Sequence, residues 1–253
     1  MPPIAGQNVL VIGGSSGIGA AVAKLACAEG LNVSVASSNP SRVETAVRRI
    51  REAVPGARVL GFVCDVNHDD AESSLEKLFA DVKVAAGGQP LDHIIYTSVV
   101  LDLRPLSEVS MAYLRDASQF KYVVPLLIGK LAPRYVKQSH TSSLIFTSGR
   151  VAEKPVKGST VVSGMGAALF GVTRGLALDI APIRVNLVSP GVVDTEMLRS
   201  DEKIARAVEM MTKNSLLGKI GTPEEVAEAY IYLMKDTNST GSVVSTNGGA
   251  LIE

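Results

Sequence analysis

Apolar residues in this chain gather into short runs, separated by longer amphipathic stretches. Strand-length runs fall at 8–12, 32–37, 58–63, 92–97, 142–147, 183–188 and 241–246. Between them, a helical repeat of apolar positions predicts helices over 17–29, 41–53, 70–85, 111–136, 162–181 and 223–235. The breaks at Val54-Pro55-Gly56 and Gly87-Gly88-Gln89-Pro90 stop the helices before them. Strand alternating with helix along the whole length predicts an α/β fold: a parallel sheet covered on both faces. No linker, repeat or low-complexity tract divides it, so residues 1–253 are expected to form a single domain. The least regular segment, 192–222, carries a short helical pattern over Lys203–Thr212 and is expected to close over a pocket as a lid.

The first run leads into the clearest chemistry. Asn8–Ile12 is followed by Gly13-Gly14-Ser15-Ser16-Gly17-Ile18-Gly19 and then by an amphipathic stretch. Glycines at 13, 17 and 19 permit a tight turn, close approach of backbone to a phosphate, and close packing of helix on sheet. Ser15 and Ser16 offer hydroxyl donors, and the helix start offers free N–H groups to an anion. The same residues also spell G-x-S-x-G, the nucleophile elbow of hydrolases. That mechanism requires a histidine downstream, and the only histidines are His68, His93 and His140, none in the last hundred residues. Nor do these three have the spacing of a metal site.

Composition narrows the setting. In 253 residues, 46% are hydrophobic, enough for one large core. Twenty-five basic residues balance 25 acidic ones, which gives no support to a nucleic-acid partner. The sequence shows no run read as membrane-spanning and no signal-peptide pattern, so neither a membrane nor export is expected. Cys27 and Cys64 are unrelated in spacing, as in a reduced compartment, and a cytoplasmic location is expected.

Several motifs in order give the chain a resemblance to the short-chain dehydrogenase/reductase family. They are the glycine-rich head, with Ile12 where the family has Thr; Asp65-Val66; Arg184-Val185-Asn186 with Ser189-Pro190-Gly191 and Thr195; Thr222-Pro223-Glu224-Glu225-Val226-Ala227; and Asn247-Gly248-Gly249. The resemblance implies a Rossmann-type, doubly wound parallel sheet of about seven strands with helices on both faces. It implies a small-molecule substrate, and a homodimer or homotetramer built on the helices near 111–136 and 162–181. It assigns the adenine to Asp65 and Val66, the ribose side to Thr97 and Ser98, and the nicotinamide end to Pro190, Gly191, Val193 and Thr195.

The cofactor follows from the second strand. Sites that select NAD place a carboxylate after it, where it would repel the 2′-phosphate of NADP. Here Ser37, Ser38, Asn39 and Arg42 follow, with no acid before Glu44. Short donors and a guanidinium suit a phosphate dianion, so NADPH is the expected cofactor.

The acid–base set departs from the family, which uses Asn, Ser, Tyr and Lys. The register puts Val162 at the Tyr, Gly166 at the Lys and Gly149 at the Ser, and no tyrosine lies within 155–170. Ser148 stands beside the Ser position and Lys121 near the Asn position; these two are the expected catalytic residues. A site that keeps the cofactor without the tyrosine proton suits an electrophile activated beforehand, an iminium or imine or a conjugated carbonyl. The chain also resembles a divergent fungal branch of the family that reduces such intermediates in alkaloid biosynthesis and steers a cycloaddition. It shares Ser38-Asn39-Pro40 and the stretch 229–236 with that branch, but has Val100, Val156 and Lys121 where the branch carries acids and an arginine. An NADPH-dependent reductase in small-molecule biosynthesis is therefore expected. The alternatives are an isomerase or cyclase without net redox, and a non-catalytic NADPH-binding protein.

Overall fold

A computed structural model describes residues 2–99, 102–199, 212 and 215–252. Seven parallel strands form one sheet in the order β3-β2-β1-β4-β5-β6-β7. They are β1 (Asn8–Ile12), β2 (Asn32–Ser37), β3 (Val59–Val63), β4 (His93–Tyr96), β5 (Ser143–Thr147), β6 (Arg184–Pro190) and β7 (Val243–Thr246). The order reverses direction between β1 and β4, which opens a crevice at the carboxyl ends of those strands.

Alternation along each strand sends side chains to two separate cores. Leu10 and Ile12 of β1, with Ile94 and Tyr96 of β4, face helices α3 (Ala71–Ala85), α5 (Val124–Tyr135) and α6 (Thr160–Asp179). Val9, Val11 and Ile95 face α1 (Gly17–Ala28), α2 (Pro40–Ala53) and α8 (Pro223–Lys235). Strands buried on both faces explain the near-continuous apolar runs in the sequence.

The helices begin where their caps dictate. Asn39 accepts the Arg42 N–H at 3.0 Å at the start of α2, with Pro40 at the first helical position. Thr222 and Glu225 bond reciprocally in a capping box at the start of α8. The Arg184-Val185-Asn186 motif is structural. Arg184 donates to the carbonyls of Leu233 at 2.7 Å and Met234 at 3.2 Å, placing a buried cation at the carboxyl end of α8. Asn186 ties down the following turn through Ser239 and Ser242.

Two expectations need correction. The stretch 111–136 is not one helix: α4 (Met111–Ser118) runs into a π-helical turn, Gln119–Val123, before α5. Pro125 is the physical reason, because it has no N–H for the Lys121 carbonyl four residues back, and its ring crowds that carbonyl. The chain relaxes to a longer bond, from the Val124 N–H to the Gln119 carbonyl. In addition, α6 is long and apolar enough by length and composition to cross a membrane, with a mean hydropathy of 1.5. Its buried side, Leu169, Val172 and Leu176, packs in the sheet core.

Of the expected lid, Glu196–Arg199 forms a short helix, α7, and Val193 pairs with Gly221. The helical pattern at Lys203–Thr212, apart from Thr212, lies outside the described residues, as does Val100.

Candidate active site

A cleft of about 500 Å³ lies at the carboxyl ends of β1, β2 and β4. Its walls include Gly13, Ser15, Ser16, Gly17, Ile18 and Gly19 from the head, and Ser37, Ser38 and Arg42 after β2. Asp65, Val66, Thr97, Ser98 and Thr195 complete the set of expected residues that meet there. Gly13 has φ +88° and Gly17 φ +50°, conformations that side-chain-bearing residues rarely adopt. A Cβ on Gly13 would lie 2.7 Å from the Ser98 nitrogen, and one on Gly19 would lie 2.3 Å from the Gly13 carbonyl oxygen. The turn therefore folds back on itself as tightly as a backbone allows.

The cleft fits a dinucleotide on its own evidence. Thr195 Oγ1 is buried with no hydrogen-bond partner among the described residues, an unmet need that a phosphate or amide would satisfy. Thr195 stands against Gly17, where an added Cβ would meet its methyl at 3.1 Å. The start of α1, at Gly17, has no side-chain cap and leaves its first N–H groups for an anion. At the other end, the residues after β2 that line the cleft, Ser37, Ser38 and Arg42, include no carboxylate, while Asp65, two residues past β3, lies on the same cleft.

Other expected contacts lie elsewhere. Asn39 is not on the cleft wall; its side-chain oxygen accepts from the Arg42 N–H and the Ser41 hydroxyl, the latter at 2.8 Å. Pro190 ends β6, and the Gly191 N–H is held by the Thr246 carbonyl at 3.0 Å. Val193 is buried in the core facing α1 and α8. Asp65, by contrast, stays exposed on the cleft wall and accepts the Asn67 N–H of its own loop at 2.9 Å. Asn67, Phe120, Glu196 and Met197 line the cleft without having been singled out in sequence. The first two adjoin singled-out residues, Asp65-Val66 and Lys121; the last two follow Thr195 directly.

The acid–base end lies one strand further along the sheet, where β5 ends at Thr147. Ser148 is buried and donates its hydroxyl to the Gly166 carbonyl of α6 at 2.9 Å. Thr147 donates its own hydroxyl to the Tyr96 carbonyl at 2.8 Å. A hydroxyl has one proton, so the 2.6 Å contact between Thr147 and Tyr230 is a donation from the tyrosine. Tyr230 is thereby committed, and burial raises its pKa well above the ordinary value. Lys121 projects from the π turn and donates to the Thr147 backbone carbonyl at 2.6 Å. Burial lowers its pKa from 10.5 to about 8. The neighbouring Gly166 is crowded, since a Cβ there would lie 3.0 Å from that of Ala152. Among the described residues, no group of three or more His, Cys, Asp and Glu side chains has the arrangement of a metal site.

Residues 3–253 match the family profile of SDR-like Rossmann domains. The chain belongs to the short-chain dehydrogenase/reductase family. It is 50% identical over 254 residues to the short-chain dehydrogenase/reductase ATR9 of Stachybotrys chlorohalonatus, covering 100% of both chains. It is 37% identical to the short-chain dehydrogenase/reductase malC of Malbranchea aurantiaca, over 98% of this chain and 95% of that one. The solved structure of the MalC reductase/Diels–Alderase superposes with a TM-score of 0.93, covering 99% of this chain and 98% of that one. Named relatives farther off include carbonyl reductase family member 4 of Danio rerio, at 31% identity over 95% of this chain. The chain is therefore of an oxidoreductase type whose family binds nicotinamide cofactors and small-molecule substrates and is commonly oligomeric.

Proposed function

We propose that this protein is an NADPH-dependent reductase of a pre-activated electrophile, an imine or iminium or a conjugated carbonyl, in the biosynthesis of a small metabolite. The observation that carries the reading is the pairing of a fully formed dinucleotide cleft with a β5 end that has no phenol to give a proton. Thr195 Oγ1 has no partner in the cleft among the described residues, and the register read from the sequence puts Val162 and Gly166 at the places of the family tyrosine and lysine. When bound, the reduced nicotinamide supplies a hydride. The protein's own residues then have modest tasks. The head would hold the pyrophosphate, and Ser37, Ser38 and Arg42 would receive the 2′-phosphate. NADPH is favoured over NADH because the wall beyond β2 offers hydroxyls and a guanidinium and no carboxylate. The likeness to the MalC reductase/Diels–Alderase supports the reductase reading, and gives a cyclase without net redox as the second reading. A cytoplasmic homo-oligomer accords with the isolated buried cysteines and with the family's habit.

The experiment is a fluorescence titration with NADPH and NADH, followed by NADPH consumption against separate panels of cyclic iminium salts, conjugated carbonyls and simple ketones. NADPH-selective binding with turnover confined to the first two panels is expected. Tight binding with no oxidation by any panel would leave the cyclase and the cofactor-binding readings in place of the reductase.

A further inference from the structure

We propose that Lys121 is the proton donor of this site, and that the acceptor it serves ends in an oxygen rather than a preformed cation. The inference rests on the reductase reading and selects between its two substrate classes.

The geometry begins with the π turn. Opened by Pro125, it directs Lys121 to the carboxyl end of β5, where its amine reaches the Thr147 carbonyl at 2.6 Å. That carbonyl is a fixed post, because Thr147 is pinned through its hydroxyl by the Tyr96 carbonyl and by Tyr230. The strand next to β5 is β4, whose continuation, Thr97 and Ser98, lines the cofactor cleft; Phe120, beside Lys121 in sequence, lines it too. The ammonium has three donors, and the Thr147 carbonyl takes one. Two remain for an acceptor at the same strand end.

Among the described hydroxyls at this strand end, none is placed to give a proton. Ser148 is committed to Gly166, and the Tyr96 hydroxyl is buried in the core facing α3 and α5. Burial raises the Tyr96 pKa well above the ordinary phenol value, which makes it a weaker acid.

The charged groups on the elements around Lys121 do not set its acidity. On α4 these are Tyr113, Arg115 and Asp116; on the π turn, Tyr122; on α5, Tyr135 with Lys130 and Arg134, which pair with Glu72 and Glu76 of α3; beyond β5, Arg150; and on α6, Arg174 and Asp179 far along the helix. Burial alone accounts for the drop to about 8, so the amine is charged at neutral pH yet readily gives up its proton.

The chemistry follows. As a hydride adds to the acceptor carbon, the electron pair of the double bond moves onto oxygen. A proton passes from Lys121 Nζ to that oxygen, and the neutral amine regains one from water. An iminium needs no such proton and would be repelled by an enclosed ammonium at the reacting end. A conjugated carbonyl gains from it twice, first by polarisation and then by protonation.

The test compares the full-length wild type with Lys121→Met and Lys121→Arg in three measurements. NADPH titration comes first and stands for the reductase reading: failure of the wild type to bind NADPH defeats that reading, whatever Lys121 does. Next is binding of 4-nitrophenolate, an oxyanion probe, to the protein with NADP+, followed by its absorbance. The wild type is expected to bind it, with affinity falling above about pH 8, and Lys121→Met to lose at least tenfold while still binding NADPH. The third is turnover with conjugated carbonyls and with an N-methyl cyclic iminium. Lys121→Met is expected to lose about 10²–10⁴-fold on carbonyls, the usual worth of a general acid, along with the alkaline limb, and to gain on the iminium. Lys121→Arg, charged but unable to release a proton, is expected to keep phenolate binding and lose carbonyl turnover. Phenolate binding that is absent in the wild type or unchanged in Lys121→Met, or a carbonyl rate insensitive to the loss of the amine, overturns the proposal.

Discussion

Ser148 gives its hydroxyl proton to the Gly166 carbonyl at 2.9 Å, so the side chain beside the family's serine position bridges β5 to α6 instead of pointing a donor at an acceptor. The Gly166 carbonyl lies within a helix and keeps its helical partner if the serine is lost. Ser148→Ala is expected to cost about 1 kcal/mol of stability, the usual net worth of one hydrogen bond. It is expected to lower turnover less than tenfold, well short of Lys121→Met. Urea unfolding beside steady-state rates checks both; a loss as deep as that of Lys121→Met would return Ser148 to the centre of the chemistry.

Cofactor selection is open to a direct exchange. Arg42→Ala removes a charge-assisted contact worth about 1.5–3 kcal/mol, so NADPH binding is expected to weaken roughly ten- to hundredfold and NADH binding to stay put. Ser38→Asp adds a carboxylate to the same wall and is expected to reverse the preference. Fluorescence titration with both nucleotides reads the outcome. Equal weakening of the two would place Arg42 away from the 2′-phosphate.

The head has no room for a side chain at Gly13 or Gly19. In Gly19→Ala the new methyl would sit 2.3 Å from the Gly13 carbonyl, against backbone that cannot swing away. NADPH affinity is expected to disappear, with a stability loss of about 1–3 kcal/mol from overpacking. Retention of wild-type affinity would mean that the turn is looser than its contacts indicate.

Much of this architecture was legible beforehand because the signals were local. Alternation of apolar runs located every strand, and the head, the serines after β2 and Arg42 converge on one cleft. Three things were not legible. Asn39 reads as a phosphate donor in sequence, but a helix start needs a cap and Asn39 supplies it. The π turn was hidden because an apolar period carries straight through 111–136, and only the backbone demand of Pro125 breaks it. Phe120 and Met197 reach the cleft through tertiary packing, which no spacing rule encodes.

Re-equipping positions 162 and 166 requires room as well as residues. Val162→Tyr with Gly166→Lys is expected to raise ketone reduction, but the lysine's Cβ would press to 3.0 Å on that of Ala152. Adding Ala152→Gly is therefore expected to recover stability and give the larger gain. Thermal unfolding and ketone-dependent NADPH oxidation of the double and triple variants decide it; no gain in either speaks against the register of 162 and 166.

Acid sensitivity is expected to come from His93. It is fully buried between Ser143 at 2.9 Å and Gln7 at 2.7 Å, and burial, aided by Arg184, lowers its pKa from 6.5 to about 3. Below about pH 6.5 the unfolded chain takes up a proton that the folded one refuses. Stability is thus whole above that pH and falls toward pH 3, by at most ~1.4 kcal/mol per unit. Urea unfolding between pH 7.5 and 4 is expected to show the decline, and His93→Gln, which stays neutral, to flatten it. Parallel slopes in the two proteins would assign the acid limb to other groups.

The bond from Val124 to Gln119 closes over one residue more than a regular helical turn contains. Seen that way, the π turn adds one residue to the step from α4 to α5 and absorbs it within five positions. Both flanking helices keep their own buried sides, so such an insertion can be gained or shed without rebuilding the core. It rotates only what it carries, and here it carries Lys121. Chemistry at the end of β5 can thus change by indel as well as by substitution, and comparison of relatives position by position will overlook that route.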